Sequence, residues 1–212
     1  MDVAICAAGL NFRDVLDALG LYPQPEGQPF APGDDCAGVL QAATDCHGSS
    51  EGDGPLRPGL RLYGSPGFAA GCSTFASYVR ACAGLLAPLP TAITFEEACT
   101  LPTTFSTVHT ALERMGRQGG VALIVHASTG GVGLCANENL LWLRMSTLAT
   151  TSRPPKHRLL RKLNLPDICS SRDAASFACG AATAACTLRV SATLNSLSAD
   201  FISSSFALTS EG

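Results

Sequence analysis

The pattern of apolar and polar residues divides the chain into two parts that differ in texture. Up to about residue 90, short apolar runs alternate with segments rich in glycine and proline, which is typical of short strands joined by turns. Asn11–Leu19 predicts a short helix that ends before Gly20, and residues 47–58 and 64–73 predict loops. The runs that predict strands in this part are Val3–Ala8, Cys36–Ala42 and Phe75–Val79.

Beyond residue 92, longer helical patterns alternate with apolar runs. A helix start is predicted at Thr94, because this capping residue is followed by the acids Glu96 and Glu97. The alternation implies a parallel sheet with right-handed crossovers, so we predict a β-rich domain over residues 1–92 and an α/β domain over 93–212. The tract 174–186 is too biased toward small residues to assign. The predicted strands are 121–125, Thr147–Thr151 and Ala192–Leu197, and the predicted helices are Thr104–Met115, 132–144, Lys156–Leu163 and Asp200–Leu208.

One segment carries a recognisable ligand-binding pattern. The apolar run Val121–Val125 precedes a glycine-rich turn and a helix start, and Gly131, Gly133 and Ala136 fit the spacing G-x-G-x-x-G/A. Glycines let the backbone approach phosphates closely, and a helix N-terminus offers free N–H groups and the positive end of a dipole. The pattern predicts a dinucleotide pyrophosphate site, with an ordinary strand–turn–helix connection as the alternative.

The charges after the second α/β strand bear on which dinucleotide would bind. An acid at this place usually holds a free ribose hydroxyl, whereas basic residues accommodate a 2′-phosphate. The chain has no acid between Glu138 and Asp167. We therefore predict NADPH rather than NADH, with Arg153 and Lys156 at the phosphate and the later cations on a solvated helix face. The basic residues between the second strand and Asp167, with one histidine, are Arg153, Lys156, His157, Arg158, Arg161 and Lys162.

Composition narrows the function classes. With 46% hydrophobic and 15% charged residues the chain can bury a sizeable core, and a net charge of −3 argues against nucleic acid as a partner. No apolar run approaches the ~20 residues needed to cross a bilayer. No basic segment followed by an apolar one marks a signal peptide, so a cytoplasmic location is predicted. Ten cysteines at irregular spacing, without a C-x-x-C pair, predict buried reduced thiols and no metal site.

Six segments together carry a family resemblance, in the family's order along nearly the whole chain. The chain resembles the enoylreductase domain of modular polyketide synthases and animal-type fatty acid synthases, which are zinc-independent medium-chain dehydrogenases/reductases. The glycine turn is shared with quinone reductases, whereas the first and the last two segments are specific to the synthases. The segments are AAGLNFRDVLDALGLYP (7–23), PGDDCAGVL (32–40), TFEEACTLPTTFSTVHTAL (94–112), HASTGGVG (126–133), SSRD (170–173) with Phe177, and LNSLSADF (194–201).

The resemblance implies a fold and a reaction. The fold is a partial GroES-like β-rich domain followed by an incomplete Rossmann-type doubly wound sheet, because the chain begins inside the family's second or third strand and stops before its last ones. The reaction is reduction of an enoyl thioester on acyl carrier protein, with NADPH delivering hydride to the β-carbon and a proton donor serving the α-carbon. Other synthase domains in the same polypeptide are the implied partners. A free-standing quinone or alkenal reductase and a non-catalytic fragment remain as alternatives.

The resemblance also implies roles for single residues. Tyr22 matches a proposed proton donor, Lys156 a lysine proposed either as the donor or as a contact to the cofactor phosphate, and Asp173 the partner of that lysine. Asn11 matches a position at the substrate cleft. The alternatives are packing for Tyr22, a turn or cap for Asp173 and a helix cap for Asn11, and we expect His126 to be structural. The implied cofactor contacts are Thr107, Ser128, Thr129, Gly130, Gly131, Val132, Gly133, Arg153, Lys156, Asn195 and Ser196.

The helix after the glycine turn departs from the family pattern. Arg144 stands where the family has a glycine, and an arginine can take a left-handed conformation only with strain. Asn137 and Asn139 replace apolar residues, and a buried asparagine without partners costs roughly 1–3 kcal/mol. We therefore expect this helix to pack less favourably than in the family.

Overall fold

The computed structural model of the chain describes residues 1–23, 31–42, 57–66, 73–115, 122–185, 188–196, 202–207 and 209. The chain forms two compact units that divide between Thr103 and Thr104. This division falls later in the chain than the boundary predicted at residue 92, so the helix start at Thr94 lies in the first unit.

The first unit is built on an antiparallel sheet of five strands in the order β4-β1-β2-β3-β5. Two helices, α1 (Phe12–Ala18) and α2 (Phe95–Ala98), accompany it, together with one 3₁₀ turn at Ala83–Leu85. One core cluster contains Val3, Leu40, Leu62 and Val79, and a second, smaller one joins Ala37 and Leu89 to Ala98 and Cys99 at α2. The strands are β1 (Asp2–Gly9), β2 (Asp35–Ala42), β3 (Arg61–Gly64), β4 (Tyr78–Arg80) and β5 (Leu86–Pro88).

Most sequence predictions for this unit are confirmed. β1, β2 and α1 lie where the pattern put them, and Thr94 caps α2 through its hydroxyl, which accepts the Glu97 N–H at 3.1 Å. The strand predicted over Phe75–Val79 is wrong in its first half, because the Ser73 hydroxyl accepts the Phe75 N–H at 3.2 Å and bends the chain. The predicted loops 47–58 and 64–73 lie largely outside the described residues.

The second unit holds a parallel sheet of four strands in the order β8-β7-β6-β9. Helix α3 (Pro102–Met115) leads into this unit. Among the described residues no helix is both long enough and apolar enough to cross a membrane. The remaining elements in chain order are β6 (Ala122–Val125), α4 (Gly131–Trp142), β7 (Ser146–Thr151), α5 (Pro154–Lys162), β8 (Ile168–Ser170), α6 (Ala174–Ala185), β9 (Val190–Leu194) and α7 (Ile202–Phe206).

Helices cover both faces of this sheet. Successive side chains of a strand point to opposite faces, so the partners of neighbouring residues show which helix lies on which face. Leu123 and Val125 of β6 pack with Val108 of α3 and Leu140 of α4. Their neighbour Ile124 faces the other way and packs in a cluster with Phe177 of α6. Leu160 of α5 packs on Ala149 of β7, which pairs with Val125. The α/β fold class predicted from the sequence is therefore confirmed, with an antiparallel domain followed by a doubly wound parallel sheet.

The sequence missed two elements of this unit. Strand β8 has only three residues, too few for a pattern. Helix α6 lies in the small-residue tract that gave no assignment, although alanine is the best helix former. Its start is fixed by Asp173, whose carboxylate accepts the N–H groups of Ala175 at 3.2 Å and Ser176 at 3.0 Å. A capping acid ahead of the alanines is the signal that would have located this helix.

The seven cysteines that the structure describes are all unpaired thiols. Four are buried, and burial raises the pKa of Cys36 to about 12 and of Cys135 to about 11. A thiol with so high a pKa carries little thiolate at neutral pH, so these buried cysteines act as small hydrophobic residues. Cys6, Cys82 and Cys179 are exposed.

Arg144 adopts the strained conformation expected of it, with φ +55°. The N–H of Met145 bonds to the Leu140 carbonyl at 2.8 Å and the N–H of Arg144 to the Leu141 carbonyl at 3.0 Å, which is the hydrogen-bond pattern of a Schellman motif. Met145 and Leu140 also share one core cluster, and such a hydrophobic contact often accompanies this motif. The glycine of the family pattern is thus replaced without loss of the helix end.

We predict that Arg144→Gly stabilises the protein by about 1 kcal/mol, because glycine has no steric penalty at positive φ. The measurement is the free energy of unfolding from urea titration. Arg144→Ala is the matched control, since alanine also removes the exposed guanidinium but keeps the Cβ atom. An equal gain for both variants would place the effect in the side chain and contradict a backbone origin.

Both asparagines of α4 have hydrogen-bond partners. Asn137 is buried, and its Nδ2 donates to the Ser128 carbonyl at 3.1 Å. The Nδ2 of Asn139 donates to the Cys135 carbonyl one turn earlier at 2.8 Å. Both side chains lie within the described residues, and of their polar atoms Oδ1 of Asn137 is the one that is buried without a partner. The free-energy cost expected for buried asparagines is therefore limited to this oxygen. In return, Asn137 ties α4 to the turn that precedes it.

Candidate functional site

The strand order places a crevice at one edge of the parallel sheet. The chain proceeds outward from β6 through β7 to β8 and then returns to β9 on the other side of β6. Ligands of doubly wound sheets bind outside the carboxyl ends of the strands at such a reversal. The glycine turn follows β6, Arg153 comes soon after β7, and Asn195 and Ser196 follow β9. The topology therefore brings these predicted cofactor residues to the same edge.

The glycine turn presents backbone N–H groups at the start of α4. The Gly130 N–H closes the turn on the Ala127 carbonyl at 2.8 Å, and the first helical bond runs from the Leu134 N–H to the Gly130 carbonyl at 2.8 Å. The N–H groups of residues 131–133 precede that bond, so the helix itself offers them no acceptor. Gly130 at the cap position provides no side-chain cap. Three amides at the positive end of the helix dipole are thus left to bind an anion.

Gly133 is required by the close packing of this turn. A Cβ atom at this position would lie 2.4 Å from the Ala127 carbonyl oxygen and 2.6 Å from the Ser128 Cα. Both are backbone atoms, so the turn itself would have to shift to accept any side chain. A dinucleotide fits this geometry, because the same absence of side chains lets phosphate oxygens reach the amides.

The side chains of the turn are used to hold it in place. The Ser128 hydroxyl is buried and donates to the Val125 carbonyl at 2.7 Å, while the Ser128 N–H bonds to the Thr150 carbonyl at 3.0 Å. The Thr129 hydroxyl lies 3.1 Å from the Thr151 hydroxyl at the end of β7. Ser128 and Thr129 were both predicted as cofactor contacts. The hydroxyl of Ser128 is already used within the turn and is therefore not free to bind a ligand in the crevice.

The side chain of His126, at the end of β6, is buried and contacts several neighbouring segments. Its Nδ1 lies 3.1 Å from the Thr150 hydroxyl and its Nε2 lies 2.8 Å from the Ser205 hydroxyl of α7, and its ring packs against Phe177 at 5.3 Å between centroids. Burial lowers the pKa of His126 to about 4, so the ring is neutral at pH 7. The Ser196 hydroxyl donates to the His126 carbonyl at 3.2 Å, which links the end of β9 to the same turn. These contacts are structural, as the sequence indicated.

The remaining predicted cofactor residues are exposed. Arg153 occupies the cap position of α5, and Lys156 lies one turn into that helix, where its N–H bonds to the Arg153 carbonyl at 2.9 Å. Thr107 lies on the exposed side of α3, and Asn195 is exposed just beyond β9. Exposed cations next to the end of β7 are suitably placed for a phosphate on an adenosine ribose.

Asp173 is engaged at the start of α6. The hydroxyl and N–H of Ser176, followed by the N–H of Ala175, hold the pKa of the Asp173 carboxyl below its usual range. In the part of the chain that the structure describes, no ion pair joins this carboxylate to Lys156. The capping contact that the sequence left as the alternative is present, and cooperation with Lys156 stays a prediction.

In the first unit, Asn11 contacts Asp35, while Tyr22 lies near Arg13, which also contacts Asp34. The Asn11 Nδ2 donates to an oxygen of Asp35 at 3.0 Å. The Arg13 guanidinium lies 3.8 Å from an oxygen of Asp34 and 5.8 Å from the ring centre of Tyr22. The sequence places both acids in PGDDCAGVL but indicates no role for them. Two neighbouring acids ahead of an apolar strand were the signal, because buried carboxylates need partners.

Comparisons with known proteins agree with this geometry. No protein-family model matches the chain. It is 31% identical over 173 residues to a phenolphthiocerol/phthiocerol polyketide synthase of Mycobacterium tuberculosis and 34% identical over 213 residues to the pikromycin polyketide synthase component PikAII of Streptomyces venezuelae. The CurK enoyl reductase superposes with a TM-score of 0.82 at 29% identity over 98% of the chain. The chain is thus similar in sequence to polyketide synthases and in fold to the enoyl reductases of the medium-chain dehydrogenase/reductase superfamily.

The chain spans only part of the length of the proteins that it matches. It spans 62% of the CurK enoyl reductase, 7% of the Mycobacterium synthase and 5% of the Streptomyces synthase. The matches to the two synthases cover 81% and 99% of the chain itself. The quinone oxidoreductase of Thermus thermophilus, solved also as its complex with NADPH, superposes with a TM-score of 0.76 at 25% identity, again over 62% of its length. The relatives thus support an oxidoreductase fold with a nicotinamide cofactor.

Proposed function

We propose that this chain reduces the 2,3 double bond of an enoyl thioester carried by acyl carrier protein, using NADPH, within a polyketide or fatty acid synthase. The observation that carries the proposal is the start of α4. It has no side-chain cap, contains the tightly packed Gly133 and lies where the strand order reverses. The polyketide synthase relatives support the substrate class, and the NADPH complex of the Thermus enzyme supports the cofactor.

Different residues at this edge of the sheet bind different parts of the cofactor. The amides of residues 131–133 hold the paired phosphates, and Arg153 and Lys156 hold the phosphate on the adenosine ribose. Thr107, with Asn195 and Ser196 beyond β9, contacts the nicotinamide side. When bound, NADPH supplies the hydride that the β-carbon of the substrate receives.

Residues of the first unit serve the substrate. Asn11 is flanked by Leu10 and Phe12, whose side chains are 71% and 75% exposed. A polar amide between exposed apolar side chains suits an acyl thioester, which combines an apolar chain with a carbonyl oxygen. Tyr22 delivers the proton to the α-carbon, and the Arg13 guanidinium over its ring stabilises the negative charge left on the phenol oxygen. Lys156, assisted by Asp173, is the alternative donor.

The test is NADPH consumption by the purified chain with a crotonyl thioester on carrier protein. We expect oxidation of NADPH that depends on the thioester, and the double variant Arg153→Ser/Lys156→Ser should raise the KM for NADPH by roughly tenfold while leaving that for NADH unchanged. Arg161→Ser, in the last turn of α5, is the matched control. A chain that neither binds NADPH in calorimetry nor oxidises it would be a non-catalytic member of the fold.

A quinone reductase is the second candidate function, because the Thermus quinone oxidoreductase superposes over 100% of the chain. The same assay separates the two when benzoquinone replaces the thioester. Faster NADPH oxidation with the quinone than with the thioester would favour this second function.

A further inference from the structure

Asp35 is a buried carboxylate that accepts hydrogen bonds from three donor groups on two segments. It is the first residue of β2 and is only 2% exposed. Its oxygens accept the Asn11 Nδ2 at 3.0 Å, the Thr103 N–H at 3.1 Å and the Thr103 hydroxyl at 2.8 Å. Burial and the neighbouring charge of Asp34 raise the pKa of Asp35, whereas these donors lower it. A carboxylate kept in so unfavourable a place is held there by its partners.

The neighbouring backbone leaves room for this arrangement. Gly9 pairs with Asp35 across the β1–β2 ladder, and a Cβ atom on Gly9 would lie 2.2 Å from the Cys99 carbonyl oxygen and 3.0 Å from the Asp35 Cβ. Asn11 follows β1 two residues later. Its backbone is fixed separately, because the Asp14 carboxylate accepts the Asn11 N–H at 2.7 Å and the Gly33 N–H at 2.8 Å. Asp35 therefore fixes the side chain of a residue whose backbone is already held.

An asparagine amide nitrogen carries two hydrogens, and Asp35 engages one of them. Asn11 is half-buried, and its chain neighbours Leu10 and Phe12 are exposed. We infer that Asp35 is a positioning residue that aims the second N–H of Asn11 at the carbonyl oxygen of an acyl thioester, where negative charge develops during reduction. This inference rests on the proposed function. A donor held in place before the reaction stabilises that charge without reorganisation.

Three variants test the inference. Asp35→Asn replaces an acceptor oxygen with a donor, so Asn11 loses its orientation and we expect kcat with the crotonyl thioester to fall by about tenfold or more while the KM for NADPH stays unchanged. In an Asn11→Ala background the same change should alter kcat by less than about twofold, since the two residues act as one unit. Thr103→Val is the matched control, because it removes a bond to Asp35 but spares Asn11.

A purely structural role for Asp35 predicts other results. Thr103→Val would then mimic Asp35→Asn, and the loss would be undiminished in the Asn11→Ala background. Either result would overturn the inference. If the protein oxidises no NADPH at all, the proposed function fails, and the positioning is read from the Asn11 side-chain amide signal in a ¹H–¹⁵N spectrum.

The spectrum also tests the inference when an Asp35 variant fails to fold, because it is recorded on other forms of the protein. Addition of butyryl thioester, which has no double bond to reduce, should shift the Asn11 amide signal of the unaltered protein and of Thr103→Val alike. Absence of that shift in the unaltered protein would overturn the inference without any variant of Asp35.

Discussion

Gly133→Ala should weaken NADPH binding by roughly tenfold or more and lower the free energy of unfolding by about 1–3 kcal/mol. The added methyl group would lie 2.4 Å from the Ala127 carbonyl oxygen, well inside van der Waals contact. Because that oxygen accepts the Gly130 N–H, relief of the clash displaces the turn and the first amides of α4 together. Calorimetric titration with NADPH and urea unfolding measure the two effects.

Gly84→Ala is the control for this change, since a methyl group there meets no atom within 4 Å. Its affinity and stability should equal those of the unaltered protein. Unchanged NADPH affinity in Gly133→Ala, with stability reduced, would show that the start of α4 is not where the cofactor binds. The comparison therefore separates the role of the turn in folding from its role in binding.

Acidification should destabilise the protein through His126 by up to about 3 kcal/mol between pH 6.5 and pH 4. Burial lowers the pKa of this histidine to about 4, whereas in the unfolded chain it lies near its usual value of about 6.5. Between these values the unfolded chain binds a proton that the folded protein excludes. The stability is therefore fully present above pH 6.5 and is lost as the pH falls toward 4, at about 1.4 kcal/mol per pH unit.

His126→Gln removes this titration and should flatten the dependence of unfolding free energy on pH over the same interval. His109→Gln is the control, because His109 is exposed on α3 and only pairs with Glu113 at 3.2 Å. Urea unfolding at a series of pH values gives the slopes. If the slope of His126→Gln equals that of the unaltered protein, the ring takes up its proton equally in the folded and unfolded states, and burial of the ring does not exclude it.

Local patterns in the sequence were sufficient where one segment decides its own structure. The apolar run before Gly131 gave β6, the turn and α4 correctly, because strand period and glycine spacing are both local. The capping box at Thr94 gave α2 for the same reason. The strained Arg144 was also expected, since the family pattern marked a glycine at that position.

The rest depended on contacts between distant segments. Asp35 and Asn11 are 24 residues apart, and Asp35 and Thr103 are 68 apart, so no window of sequence shows that one carboxylate serves both. The role of Ser128 was equally hidden, because a serine in a glycine turn can face a phosphate or the protein interior. Only the fold shows that its hydroxyl is turned inward to Val125. Residue types thus predicted which segments matter, but not the direction of each side chain.

The proposed recognition of a pyrophosphate by main-chain groups has an evolutionary consequence. The amides of residues 131–133 are present whatever side chains evolve around them, so drift elsewhere in the domain leaves the anchor for the cofactor intact. In the proposed function, discrimination between the two nicotinamide carriers falls instead to Arg153 and Lys156, which are exposed. A lineage could therefore change its reductant through two surface replacements without rebuilding the protein beneath them.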